Sequence, residues 1–424
     1  MNISVIAVGS RGDVQPHIAL GAGLQAAGHR VRLVTHALFE SQIRRSGMDF
    51  FPVQVNPQAI VEGEMGKEWL GGGNNFLQFF RRFSRIAAPL IRQAMLDCWQ
   101  ACQGSEGMIC SPLALCFTSS IAEKLHIPCW IGAGQPLTPT GAFAIPFFPA
   151  APNWLPVRVS YHRLTYTLSA RLFWQLLCGS INQARQELLN LPSLPGTWLY
   201  EQVRAQRLPV LYYYSPSILP PPPDWGKQYH VTGYWFLNDD TGWQAPQALL
   251  DFLASGPPPV YVGFGSMNTR RAGEMTEIVL EALARTKQRA ILATGWGNIG
   301  NIDLPDNIFK VDFVPHAWLF AQMAAVVQHG GAGTMAACLR AGVPPVVVPF
   351  FGDQPFWASR FHALGLTPQP IPQKRLTTER LAKAIQIAIS DEALRKRVKA
   401  MSERIRAEDG VGLAVEIVNR HLIK

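Results

Sequence analysis

Short apolar runs, each closed by a glycine-bearing turn and followed by a stretch with helical spacing, recur through both halves of this chain. Few folds accommodate that alternation. Ile3-Ser4-Val5-Ile6-Ala7-Val8 is the first run, and 9–15 reads as a tight loop after it. A helix is expected over 16–27, with Ile18, Leu20 and Leu24 turned inward and Gly28 as its cap, and 30–35 is the next strand. Residues 108–110 and 129–131 read as later strands of the same sheet. Residues 76–102 carry helical spacing, with Pro89 expected as a kink or boundary. The second half repeats the scheme with strands at 260–263, 290–293, 326–328 and 346–348 and a helix at 276–286. Parallel neighbours need a long crossover, commonly a helix, so this pattern predicts α/β architecture with doubly wound parallel sheets.

At 424 residues the chain exceeds one ordinary core, and two domains are expected. The run Pro220 to Pro223 favours a stiff extended spacer. The expected division is an N-terminal domain over 1–215, a linker over 216–245 and a C-terminal domain over 246–405. A last helix over 406–424 is expected to pack back toward the N-terminal domain. The charged, amphipathic stretch 391–420 reads as one helical run. Two such domains are expected to face each other across a cleft, with ligands at the carboxyl ends of the strands.

Composition narrows the class. The chain is 48% hydrophobic and only 16% charged, which fits a compact globular protein. Its seven cysteines (98, 102, 110, 116, 129, 178 and 338) form no CxxC pair and no zinc-ligand spacing. Buried free thiols in a reducing cytoplasm are the expectation, with no metal. The N-terminus has neither a basic leader nor a cleavage site, and no stretch of about 20 apolar residues occurs. The net charge is +9. Residues 76–96 hold Arg81, Arg82, Arg85 and Arg92, and 152–185 hold Arg158, Arg163, Arg171 and Arg185, with no acid in either stretch. Both stretches are rich in aromatic and apolar residues. Lysines are few there and no nucleic-acid motif is present, so no nucleic-acid partner is expected. Peripheral contact with an anionic membrane and a plain solvated rim remain as alternatives.

Three motifs carry chemistry. His329-Gly330-Gly331-Ala332-Gly333-Thr334 directly follows a strand and opens a helix. Three glycines let the backbone approach a ligand, and a helix N-terminus presents free N–H groups, so this turn reads as a diphosphate site. Pro349-Phe350-Phe351-Gly352-Asp353-Gln354 follows one βα unit later, and an acid beside an amide can hold the adjacent hydroxyls of a sugar. Gly9-Ser10-Arg11-Gly12-Asp13-Val14-Gln15-Pro16 lacks the GxGxxG of dinucleotide binding, so no nicotinamide cofactor is expected. Asp13 reads either as a general base for an acceptor hydroxyl or as a helix cap, with Ser10 able to share the second task.

The order GSRGDVQP, GFGS at 263–266, VPHAWLF at 314–320, HGGAGT at 329–334 and PFFGDQPFW at 349–357 resembles the family-one glycosyltransferases. The sterol glucosyltransferase branch is the nearest, followed by the glycosyltransferases of glycopeptide and macrolide antibiotics. The resemblance implies the GT-B fold, two Rossmann-like domains with the acceptor on the first and the donor on the second. It also implies inversion at the anomeric carbon, no required metal and no cofactor beyond the donor, with UDP-glucose expected. By the same resemblance Asp13 is the base, and His329, Gly331, Gly333, Thr334 and Ser266 contact the diphosphate. Asp353 and Gln354 hold the sugar, and Phe313 stands where plant relatives stack a Trp on the base, with Val314 and His316 beside it. The ribose-holding Glu of plant relatives is Ala337 here.

Gln135-Pro136-Leu137-Thr138-Pro139-Thr140 resembles the acceptor-side motif of the sterol branch. Leu137, Thr138, Phe143 and Phe147, with Ser10, are the expected acceptor contacts, and Phe148 and Trp154 add apolar surface for a polycyclic or polyprenyl body. Rival readings are a nucleotide-sugar epimerase, a glycosyltransferase of the lipid-linked peptidoglycan precursor and a non-catalytic lipid-binding module. The last predicts loss of Asp13 or of HGGAGT, and neither is lost. The resulting expectation is a cytoplasmic, membrane-peripheral hexosyltransferase acting on an apolar acceptor such as a sterol, with carotenoid, hopanoid or polyketide acceptors as alternatives.

Overall fold

The computed structural model describes residues 1–54, 76–149, 151–152, 156–237, 243–265, 272–294 and 304–422, without the side chains of 76–84, 86, 87, 272 and 422. The described residues of 1–60, 75–241 and 409–424 form one compact unit, and those of 242–408 form a second.

The first unit is built on a seven-stranded sheet. Its strands are β1 (Asn2–Ile6), β2 (Arg30–Thr35), β3 (Asp49–Pro52), β4 (Gly107–Cys110), β5 (Cys129–Ala133), β6 (Val210–Tyr212) and β7 (Tyr229–Val231). They run in the order β3-β2-β1-β4-β5-β6-β7, and every pairing is parallel. β1 and β4 read as apolar runs because both faces of a parallel sheet are covered: all four residues of β4 are buried. The second unit has a five-stranded parallel sheet of β8 (Val260–Gly263), β9 (Ala290–Ala293), β10 (Ile308–Val311), β11 (Ala325–Gln328) and β12 (Pro345–Val347), in the order β10-β9-β8-β11-β12.

Each sheet has one topological switch point. In the first unit the chain winds outward from β1 to β3 and then returns to place β4 on β1's other side. In the second it winds from β8 to β10 and returns to place β11 beside β8. Adjacent strands whose connections leave in opposite directions open a crevice at their carboxyl ends, where α/β sheets bind ligands. The turns after β1 and after β11 are the GSRGD and HGGAGT motifs.

Several expectations change. The first helix spans Arg11–Ala26 rather than starting at Pro16, because Ser10 already adopts an extended cap conformation. Pro16 sits in its second turn, so Asp13 is a helical residue at the third position, not a loop residue. Pro89 lies inside a continuous helix, Phe76–Ala101, and does not end it. Residues 216–237 are not a spacer. Ile218 and Leu219 are buried, Trp225 stacks on Tyr212 at 4.8 Å, and β7 adds an edge strand to the first sheet. Prolines stiffen this segment, but the apolar anchors on either side tie it to the first unit.

The stretch 391–420 is two helices, Glu392–Ala407 and Gly410–Leu422. The break follows from local capping: Asp409 Oδ1 accepts from Gly412 N at 2.8 Å. The first helix belongs to the second unit, where Ser402 Oγ and Arg406 Nε donate to the Arg340 carbonyl at 3.0 and 2.7 Å. The last helix joins the first unit's core through Ala414, Val415, Ile417 and Val418. A side chain on Gly23 would meet Val411 Cγ1 at 2.4 Å, so a glycine on the first helix permits that close crossing.

The eight arginines are not an unopposed set. Arg185 is fully buried and pairs with Glu123 at 2.6 Å, Arg92 pairs with Glu187 at 2.9 Å, and Arg163 pairs with Asp224 at 3.0 Å. Their partners come from elsewhere in the chain, which a count of acids within each stretch misses. Trp154 and the side chains of Arg81 and Arg82 lie outside the described residues.

Candidate active site

Asp13 stands at the head of the first helix, at the carboxyl edge beside the switch point. Its Oδ2 accepts from Ser10 N at 2.8 Å and from Ser10 Oγ at 3.0 Å, so Ser10 and Asp13 are brought together as cap and partner. Both bonds go to Oδ2, and Oδ1 takes no hydrogen bond among the described residues. Burial raises the Asp13 pKa above the ordinary carboxylate value, outweighing the Ser10 hydrogen bonds that lower it. A half-buried carboxylate with raised basicity and one oxygen uncommitted is suited to taking a proton.

The turn that carries Asp13 is held from both sides. Thr35 Oγ1 donates to the Ala7 carbonyl at 2.6 Å, and Ser111 Oγ accepts from Val8 N at 3.1 Å. His36 Nε2 accepts from Gly9 N at 3.1 Å. Gly9 has φ +140°, and a Cβ there would meet Asp13 Oδ2 at 2.4 Å. Gly9→Ala is therefore expected to strain the backbone and to displace the carboxylate. A lower thermal midpoint together with loss of activity would register both effects, at a cost of about 1–3 kcal/mol. His17, one turn after Asp13 on the same helix, is fully buried. Its Nδ1 bonds the Asp13 carbonyl at 2.7 Å, not the carboxylate, and burial pushes its pKa down to about 4. A neutral ring closed off from solvent cannot exchange protons with a substrate.

Leu137 and Thr138 follow β5, and Tyr212 on β6 fixes both. Its hydroxyl accepts from Leu137 N at 3.1 Å and from Thr138 N at 2.9 Å and lies 2.7 Å from Thr138 Oγ1. Asp224, just past the proline run, holds the next turn: its carboxylate accepts from Thr140 Oγ1 at 2.7 Å, Gly141 N at 2.9 Å and Arg163 Nη2 at 3.0 Å. Phe143, Phe147 and Phe148 are half-buried on the loop so formed. Sequence reasoning missed Tyr212 and Asp224. The only signal for Asp224 was an acid immediately after four prolines, where a linker was expected. Asp224→Ala leaves the Gly141 amide and two side chains without their acceptor. A fall of about 1–3 kcal/mol in denaturant-measured stability is expected.

In the second unit the turn after β11 is similarly built. The buried Gln328 side chain accepts from Gly330 N at 2.6 Å, which sets the turn from below. Gly330 has φ +96°, and a Cβ there would meet Val347 Cγ1 at 3.1 Å and Gln354 Cβ at 3.3 Å. The HGGAGT and GDQ segments are therefore in contact. His329 lies between glycines: Cβ atoms on Gly331 and Gly265 would meet its ring at 2.5 and 3.2 Å. Its Nδ1 is buried with no protein partner, and burial lowers its pKa to about 4.

Gly331 caps the helix Ala332–Ala341, whose first turn contains Gly333 and Thr334. A Cβ on Gly333 would meet no protein atom within 4 Å. Glycine costs about 1 kcal/mol in a helix, and no contact among the described residues requires it at this position. The space it leaves suits a ligand.

Asp353 caps the helix Gln354–Ala363 and accepts from Trp357 Nε1 at 3.0 Å. Gln354 is buried, and its Oε1 accepts from Phe350 N at 2.8 Å. Phe313 is 49% exposed after β10. His316 stacks on Phe320 at 4.3 Å, and the Val314 side chain is part of the core. A ligand contact from 314 therefore has to come from its backbone. Ser266 lies outside the described residues.

Two parallel α/β units of this topology, with glycine-rich turns at their switch points, have the GT-B fold of glycosyltransferases. The chain aligns over 99% of its length with the glycosyltransferase of kitacinnamycin, covering 99% of that chain at TM-score 0.70 and 20% identity. It also aligns over its whole length with all of the glycosyltransferase VinC, solved in complex with DTDP, at TM-score 0.66 and 20% identity. Residues 3–141 match the glycosyltransferase family 28 N-terminal domain, and residues 277–419 match the erythromycin biosynthesis protein CIII-like C-terminal domain.

Two sterol 3-beta-glucosyltransferases of Arabidopsis thaliana are 37% and 36% identical over the whole chain, which spans 66% and 68% of their lengths. The sterol 3-beta-glucosyltransferase of Emericella nidulans is 36% identical, and the chain spans 30% of it. This chain belongs to the sterol 3-beta-glucosyltransferase family.

Proposed function

We propose that the protein transfers glucose from UDP-glucose to the hydroxyl of a sterol or similarly apolar acceptor, with inversion at the anomeric carbon. The observation that carries this reading is the turn after β11. A helix N-terminus, a histidine with a buried unpartnered nitrogen and a helical glycine with open space beside it among the described residues converge at a switch point. A diphosphate fits these features, with His329, Gly331, Gly333 and Thr334 around it and Ser266 and His316 assigned nearby. Asp353 and Gln354 are assigned to the sugar, and Phe313 to the face of the base.

In this reading Asp13 Oδ1 accepts the proton of the acceptor hydroxyl as its oxygen attacks the anomeric carbon. The bond from that carbon to the diphosphate oxygen breaks, and UDP leaves with the electron pair. Backbone N–H groups of the 332–341 helix stabilise the charge developing on the leaving group. Attack opposite the leaving group converts an α-linked donor into a β-glycoside. Ser10, Leu137, Thr138, Phe143 and Phe147 are assigned to the acceptor. None of these steps calls on a metal ion or on a cofactor beyond the donor.

The test is a panel of UDP- and dTDP-hexoses against sterol, carotenoid, hopanoid and polyketide acceptors, with products identified by mass spectrometry. A β-linked sterol glucoside from UDP-glucose is the expected product. Transfer only from dTDP sugars, or only to a non-sterol, would replace the donor or acceptor assignment.

A further inference from the structure

The helix Arg158–Leu189 has two unlike sides in its first three turns. One side holds the acceptor loop: His162 Nδ1 bonds the Gly141 carbonyl at 2.8 Å, Thr165 Oγ1 accepts from Ile145 N at 3.0 Å, and Tyr161 OH donates to the Pro149 carbonyl at 3.0 Å. Tyr166, Ala170 and Trp174 continue that side into the core. The other side is aliphatic and open. Val157 and Leu164 are 57% and 58% exposed, and Leu168 follows one turn on at 38%. The spacing 157, 164, 168 repeats one helical face, so these residues form a ridge.

Three arginines stand in the first four turns of this helix, and one of them, Arg163, is paired with Asp224. Arg158 and Arg171 are exposed. Neither has a carboxylate partner among the described residues, whereas Arg92, Arg163 and Arg185 do. No acid occurs between 152 and 185. No helix among the described residues is long and apolar enough to cross a membrane.

We propose that this ridge is a docking surface for an anionic lipid bilayer. Val157, Leu164 and Leu168 enter the interfacial layer, and Arg158 and Arg171 lie among the headgroups. A single row of aliphatic side chains standing out from one helix needs no complementary groove in a fluid layer. A protein partner would have to supply one. Unpaired arginines beside it select a surface of negative charge, and the attraction is screened by salt. The inference rests on the proposed apolar acceptor only for its purpose: the docked helix is the one that holds the acceptor loop.

The test is co-sedimentation of the full chain with phosphatidylcholine vesicles, with and without phosphatidylglycerol and without sterol. The wild type is expected to sediment with the anionic vesicles at low salt, weakly with the neutral ones, and less at high salt. Leu164→Ser with Leu168→Ser is expected to lower the partition about tenfold or more. Arg158→Gln with Arg171→Gln removes mainly the salt-sensitive part. Because these positions are exposed, thermal midpoints should match the wild type, and activity on a detergent-solubilised acceptor should be unchanged. A wild type that stays in the supernatant, or a Leu164/Leu168 double variant that binds like the wild type, overturns the proposal. So does a wild-type dimer in sedimentation velocity that the double variant abolishes, since the ridge would then serve a second copy. Vesicle binding needs no turnover, so its failure is separate from failure of the proposed reaction.

Discussion

Asp13→Asn is expected to lower turnover by about two orders of magnitude or more while leaving nucleotide binding intact. Asparagine keeps the size of the side chain, and its Oδ1 can still accept from Ser10 N and Oγ. What it cannot do is take a proton. The measurement is kcat on a solubilised acceptor beside UDP affinity by calorimetry, and near-normal turnover would move the base elsewhere. The wild-type rate should fall as pH drops, and the raised pKa of Asp13 places that fall above the range of an ordinary aspartate. The same burial disfavours the ionised carboxylate in the folded state. Asp13→Asn should therefore match or slightly exceed the wild type in thermal midpoint near neutral pH, separating loss of chemistry from loss of fold.

Removing the His329 ring is expected to abolish most of the stabilisation that UDP gives. A ligand at about 100 times its Kd stabilises the folded state by about 2.7 kcal/mol, which a thermal-shift titration reads directly. His329→Ala should flatten that titration, and an unchanged UDP response would remove the diphosphate assignment. The free protein carries a second signature. His17 and His329 both have pKa values lowered from 6.5 to about 4 by burial. The unfolded chain takes up these protons first, so their contribution to stability is complete above pH 6.5 and is lost as pH falls toward 4. Denaturation midpoints measured across that window should decline more steeply in the wild type than in His329→Ala.

Local order in this chain was open to reading from the residues themselves. β1 and β11 are apolar because both faces of their sheets are covered, and the glycines of GSRGD and HGGAGT mark turns that other residues would strain. Those signals are short-range, since they come from φ preferences and from the period of burial along a strand or helix. The boundaries were less legible. Ser10 starts the first helix five residues early because a capping box outweighs the loop-like look of Arg11-Gly12.

Where the contacts are long-range, only the tertiary structure decided. Nothing local marks Tyr212 as the partner in three contacts from 137–138, or Asp224 as the clasp of the 140–141 turn, because each partner lies more than 70 residues away. Charge was misread for the same reason. Arg92, Arg163 and Arg185 stand in stretches without acids, yet each meets a carboxylate brought from elsewhere by packing. The proline run looked like a spacer because proline dictates backbone stiffness but not what the neighbouring apolar side chains bury against. The two switch points follow from strand order, which depends on which strands pair across the whole fold. Sequence alone marked which turns are candidates for a ligand, and the tertiary structure decided that they stand where α/β sheets bind one.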